Sequence, residues 1–321
     1  MQSKLFSIIS KKLSPTTSLN EAVAAALNLS YDAAHRRTAG KSKLSLEESL
    51  KLSAYFNVSI DALLENEQHN IVAVEKTKQI ENNEDLEKYF EDSAISVGAL
   101  SKLENVKLFY SAKDIPLFYT LKGDLLTRFK IYVWIKLLSP SNESVSFSNF
   151  KIPLKTLEAA KKLGNLYENI PKVEIWDTTT FNSTLKQIYF YYQAGLLEFE
   201  TAQELCNDLT KLLINIKLSI TNENKDFQLY HNELLLMNNT VFIRTPYTQA
   251  FYVPFTFLSY FLATDDSTCK QAEFYIEKQL SHSKLLNTAG ERERNLFFEK
   301  LHTKVNALSQ LIAANETLNF E

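Results

Sequence analysis

The sequence predicts a mainly α protein in two parts: an N-terminal domain of five short helices over residues 1–64, and a larger helical domain over 85–321 with one small β-hairpin. Three observations carry this. Only six Gly and seven Pro occur in 321 residues, too few for a turn-dense all-β chain. Long stretches place apolar residues three or four apart, the spacing of one helix face. Two capping boxes fall within the first fifty residues, each marking where a helix starts.

Taken in order, Leu5, Ile8, Ile9 and Leu13 form a helical stripe over Lys4–Leu13 that stops at Ser14-Pro15. Ser18-Leu19-Asn20-Glu21 is the first capping box and opens a helix to Leu27. Asn28-Leu29-Ser30 forms a turn, and Ser30 can cap a third helix, Tyr31–Thr38. Gly40 ends that helix and the basic loop Lys41-Ser42-Lys43 follows. Ser45-Leu46-Glu47-Glu48 is the second box, leading into a helix with Leu46, Leu50, Leu52, Ala54 and Phe56. A fifth short helix is predicted over Ser59–Leu64.

Residues 65–84 are polar and charged, with a small Ile71–Val74 apolar island, and are expected to be a linker. In the body, Leu185, Ile188, Tyr189, Tyr192, Leu196 and Phe199 step at helical intervals. Ala202, Leu205, Cys206, Leu209, Leu212, Leu213, Ile216 and Ile220 continue the pattern. Phe227–Met237 and Thr240–Thr245 flank Asn238-Asn239, which predicts a hairpin with a primed turn. Helices are expected again from about Thr256 to the end, broken near Asn287–Gly290, with Asp265-Asp266 as N-cap residues. Tyr189–Tyr192 and Tyr247–Phe261 are read as core, with ligand-pocket lining the alternative.

The functional signal is concentrated in the head. A capped helix, a tight turn and a second short helix suit entry of the second helix into a DNA major groove. Its exposed face offers Tyr31, Asp32, His35 and Arg36, after Ser30 at its start. Arg can bond both acceptors of guanine. Arg37, Lys41 and Lys43 lie where the chain leaves the groove and suit phosphate contacts. A small helical domain that binds protein is the competing reading.

The run Leu19…Val23-Ala24…Leu27-Asn28-Leu29-Ser30, Ala34-His35-Arg36-Arg37…Gly40 and Leu46…Glu48…Leu52…Phe56-Asn57-Val58-Ser59-Ile60-Asp61…Leu64 resembles the Cro/repressor helix-turn-helix family. In particular it resembles the N-terminal domain of BetR-type bacterial regulators. The resemblance covers residues 1–64 only and implies a lambda-repressor-like helix-turn-helix fold with double-stranded DNA as partner. Tyr31 and Asp32 stand where many Cro-type members carry Gln, which separates this base-reading set from theirs.

Charge agrees with this division. The net −3 splits into eight basic against five acidic residues in the first 64, and an acidic remainder, as suits a head that meets phosphate. No glycine spacing fits a phosphate loop, and neither GxSxG nor HExxH occurs, so no enzyme, cofactor or metal is expected. The histidines outside the head, His69, His231, His282 and His302, are scattered singly. Cys206 and Cys269 cannot make a disulfide framework, and Cys206 reads as a buried small hydrophobe.

The opening MQSKLFSIISKKL is too short an apolar stretch for a signal peptide, and no apolar run reaches the roughly 18 residues that span a bilayer. A cytoplasmic location and no membrane partner follow as expectations. Phe298, Leu301, Val305, Leu308 and Ile312 have coiled-coil spacing, read either as packing on the body or as a dimer seam. The overall expectation is a transcriptional repressor that binds DNA as a homodimer, its body dimerising or sensing a small-molecule or protein effector. The alternative is a non-catalytic interaction module such as an antitoxin or phage-defence component.

Overall fold

A computed structural model describes residues 1–14, 17–60, 63, 72–139, 145–221, 226–234 and 236–318. Helix dominates, and contacts divide the chain into two units, Met1–Val74 and Glu75–Glu321.

The first unit holds α1 (Gln2–Lys12), α2 (Leu19–Leu27), α3 (Tyr31–Thr38) and α4 (Leu46–Phe56). Both capping boxes form: Ser18 Oγ accepts from Glu21 N at 3.2 Å, and Ser45 Oγ from Glu48 N at 3.1 Å. Each glutamate carboxylate reaches back to its serine's N–H. Two orphan amides are thereby satisfied at each helix start. The helices close over Leu5, Phe6 and Ile9 of α1, Val23 of α2, Ala34 of α3 and Leu52 of α4. The fifth expected helix, over 59–64, falls largely outside the described residues.

The second unit differs from the expected helical body with a hairpin: it is built on an eight-stranded mixed sheet, ordered β1-β7-β6-β5-β2-β3-β4-β8. Its strands are β1 (Glu75–Lys76), β2 (Lys107–Ala112), β3 (Lys172–Trp176), β4 (Phe227–Asn232), β5 (Thr240–Arg244), β6 (Gln249–Pro254), β7 (Tyr260–Ala263) and β8 (Ser283–Leu285). The helices are α5 (Asn83–Leu100), α6 (Leu125–Leu138), α7 (Leu154–Glu168), α8 (Asn182–Gln193), α9 (Phe199–Thr221), α10 (Asp266–Ser281) and α11 (Glu291–Thr317). β2, β3 and β4 run parallel, joined through α6–α7 and α8–α9, because parallel neighbours need long crossovers. The remaining strands add antiparallel on either side.

The two strands of the expected hairpin exist but do not pair. β4 lies between β3 and β8, and β5 between β2 and β6. Neither Asn238 nor Asn239 has positive φ, so no primed turn forms. Instead, Asn239 Oδ1 accepts from Asp114 N at 2.9 Å, binding the connection to the end of β2. Helices resume at Asp266, since β6 and β7 occupy much of 249–263. Asp265 caps α10 as expected, accepting from Thr268 N at 2.8 Å.

The C-terminal part of the expected 65–84 linker, from Glu75, belongs to the second unit, while 65–71 lie outside the described residues. β1 pairs with β7, Ile80 is buried, and α5 begins at Asn83, so 75–84 belong to the body.

Alternation along the strands sorts side chains between two faces. Leu108 and Tyr110 of β2 join the large core, whereas Phe109, with Phe242 and Phe251, meets Cys269, Ala272 and Ile276 of α10. The α9 stripe is buried as its spacing predicts, Cys206 included, except for Leu212, which is half-buried. On α7, a Cβ added at Gly164 would lie 2.4 Å from the Leu121 carbonyl oxygen, so only glycine fits this crossing.

Candidate nucleic-acid interface

Residues 28–30 connect α2 to α3. Asn28 takes the left-handed conformation, φ 52°, which an asparagine tolerates, and Leu29 N–H donates to Ala24 O at 3.0 Å. Ser30 then starts α3, its Oγ accepting from Ala33 N at 3.3 Å. That bond leaves the Ser30 hydroxyl hydrogen free to donate.

α3 has two distinct faces. Ala34 is fully buried and Ala33, Arg37 and Thr38 are half-buried, which turns Tyr31, Asp32, His35 and Arg36 to solvent. Tyr31 keeps 52% of its surface exposed. These four residues match the exposed face expected from the sequence.

Arg37 has a different place from the one expected. It stands on the flank of α3 towards α4, where Nη2 meets Glu48 Oε1 at 2.6 Å and Nε the same oxygen at 3.1 Å. Its Nη1 donates to Ala33 O at 3.0 Å. Three of its N–H donors are thus engaged within the head, two of them tying α3 to α4. Glu48 serves both this pair and the capping box. The hydrogen bond from Arg37 holds its carboxyl below the usual carboxylate range.

Lys41 and Lys43 remain exposed, on a loop fixed at both ends. Gly40, at φ +73°, makes the turn out of α3, and Ser42 N–H returns to Arg36 O at 3.0 Å. Gln2 of α1 clamps the loop from the other side. Its amide donates to Arg37 O and Ser42 O, each at 2.8 Å, and its Oε1 accepts from Leu44 N at 3.1 Å.

A second organiser is Asn20 of α2. Its Nδ2 donates to the Tyr31 hydroxyl at 3.2 Å and lies 3.4 Å from His35 Nδ1, while its Oδ1 accepts from Thr38 Oγ1 at 2.5 Å. Tyr31, His35 and Thr38 form one stripe of α3, so one amide orients the outward ring and imidazole together. The sequence analysis missed Gln2 and Asn20 as site residues. Asn20 had a visible signal, lying inside the capping box, but Gln2 acts across about forty residues of chain and had none.

In the body, the coiled-coil-spaced stripe packs on the chain itself, the first of its two readings, and is not available as a dimer seam. Phe298, Leu301, Val305, Leu308 and Ile312 are all buried within the chain, where α11 lies along α9 and α8. Of the two aromatic segments, Tyr191 is core and Tyr192 bonds the backbone of α11, whereas Tyr252 and Tyr260 line a cavity. Among the described residues no three His, Cys, Asp or Glu side chains gather as a metal site would require. No described helix is long and apolar enough to cross a membrane.

Compared with known protein families, characterised proteins and solved structures, the chain finds no match. Its functional reading therefore rests on its own geometry.

Proposed function

We propose that the chain is a sequence-specific DNA-binding transcriptional regulator, a repressor, whose head is a helix-turn-helix domain of the Cro/repressor type. The observation that carries this is the division of labour on α3. One face is sunk in the core, and the other holds Tyr31, Asp32, His35 and Arg36 outward on a bonded frame, with Lys41 and Lys43 just beyond.

In this reading α3 lies in the major groove, Arg36 bonds guanine edges, and Ser30, Tyr31 and His35 contact bases or phosphate. Lys41 and Lys43 hold phosphates and fix the register. Asp32 suits a cytosine amino group, which donates in the groove. An eight-residue helix reads few base pairs, so two copies on paired half-sites belong to the proposal. With the α11 stripe buried, their contact uses other residues.

Selection of bound duplexes from a random pool by the full chain tests this. The expected result is one enriched sequence with two-fold symmetry, bound with an affinity that falls linearly on a log-log plot against salt. A pool that stays random would overturn the reading and leave the head as a protein-binding module.

A further inference from the structure

The body contains a cavity of 370 Å³, within the ~300–1,000 Å³ range of small-molecule sites. It lies between α5 and the sheet. Its walls are Val97 and Leu100 of α5, Leu108 of β2, Val241 and Ile243 of β5, and Phe118 from the turn after β2. The chain just after β1 closes one side: Thr77 N–H donates to Tyr260 O at 3.1 Å, and Tyr260 N–H donates to Thr77 Oγ1 at 2.8 Å.

Four tyrosines, Tyr89, Tyr110, Tyr252 and Tyr260, add polar groups to this apolar lining. Tyr89 comes from α5, and Tyr110, Tyr252 and Tyr260 come from β2, β6 and β7. Burial pushes all four phenols above their ordinary value, so they stay protonated and able to donate at neutral pH. The charged lining residues are two cations, Lys78 and Lys88, and two anions, Asp85 and Asp92. Asp85 is already engaged, accepting from Glu81 N at 3.1 Å. A charged guest would lose its hydration and meet no net opposite charge.

We infer that this cavity binds a small, uncharged, largely apolar molecule carrying a carbonyl or similar oxygen, with Tyr110 and Tyr260 meeting that oxygen. The site stands independently of DNA binding by the head. If both hold, this molecule is the effector of the regulator.

Nile red, which is uncharged, apolar and carries a carbonyl, is the probe, titrated against the full chain by fluorescence. The expected result is saturable binding of one dye per chain with a blue-shifted emission. Binding should be lost in Ile243→Trp, which fills the cavity. It should weaken about tenfold in Tyr260→Phe, which removes a hydroxyl at nearly constant volume. Circular dichroism reports whether each variant is folded, and Tyr260→Phe decides the matter if Ile243→Trp is not. The anionic dye 8-anilinonaphthalene-1-sulfonate should bind more weakly than Nile red. Unsaturable binding, or a folded variant that binds as the parent does, would overturn the site. Equal affinity for the anionic dye would overturn the assigned chemistry.

Discussion

The two units differ in where they place charge: among the described residues, every fully buried Lys, Asp or Glu lies in the second. In the first, Arg36, Lys41 and Lys43 stay in solvent, and neutral amides from Asn20 and Gln2 hold their surroundings. In the second, charge goes into the interior. Glu174, at the centre of the fully buried β3, accepts from Tyr167 Oη at 2.7 Å, Tyr119 Oη at 2.8 Å and Trp176 Nε1 at 2.9 Å. Lys172, two residues before it, donates to the backbone carbonyls of Tyr167, Glu168 and Ile170 at the end of α7, where the helix dipole favours a cation. Asp177 closes the same strand, accepting from Thr179 N and Leu236 N. Surface charge is available to a partner, whereas buried charge fixes which strand sits where.

Breaking the interior network should therefore have the largest effect on stability. Glu174→Ala removes the acceptor of three donors, from the buried Tyr167 and Trp176 and the half-buried Tyr119, and should cost the body about 3–5 kcal/mol in denaturant unfolding. A loss below about 1 kcal/mol would mean that the network contributes little. Next comes Gly164→Ala, whose methyl group meets the Leu121 carbonyl and should cost about 1–3 kcal/mol through overpacking. An unchanged melting temperature would show that the α7 crossing can open without strain.

In the head, single changes should be smaller in stability but larger in binding. Gln2→Ala frees the 41–44 loop from two backbone contacts, at Ser42 O and Leu44 N–H, and Arg37 O of α3 from a third. It should cost about 1 kcal/mol of stability. It should also weaken all DNA sequences alike, since the loop carries the two lysines proposed to hold phosphate. Selective loss of one sequence would instead assign the loop to base reading.

The smallest effect is the pH response of the Arg37–Glu48 tie. The folded-state pKa of Glu48 lies below its unfolded value, so the pair stabilises above the ordinary carboxylate range. That stability is lost as pH falls through the folded value. Thermal melts of the parent and Glu48→Gln should differ most near neutrality and converge on acidification. A constant gap from neutral to acid pH would leave the pair with no part in the pH response.

The same contrast explains what could be read before the structure. Helix starts at Ser18, Ser30, Ser45 and Asp265 were legible, because a cap is a contact within three residues. The exposed face of α3 followed from helical spacing, but Arg37 did not, because its partner Glu48 lies on the next helix. The sheet was hidden for a further reason. A buried parallel strand reads as a short apolar run, and β3 disguises even that with Lys172 and Glu174. β4 and β5 were recognised as strands, but their true neighbours come from distant segments, and local turn residues suggested the wrong partner. The cavity tyrosines lie on α5, β2, β6 and β7, so only the fold unites them.

The central claim, that α3 reads bases while the following loop holds phosphate, is tested most directly by comparing Arg36→Ala with Lys43→Ala. Each variant is titrated against the selected duplex and a scrambled one at several salt concentrations. Arg36→Ala should weaken the selected duplex by about 1–3 kcal/mol while leaving scrambled DNA nearly unchanged. Lys43→Ala should weaken both alike and lower the log-log salt slope by about one. Equal losses on both duplexes for Arg36→Ala would make that residue a phosphate clamp. If neither substitution alters binding to any DNA, the account of the head is contradicted.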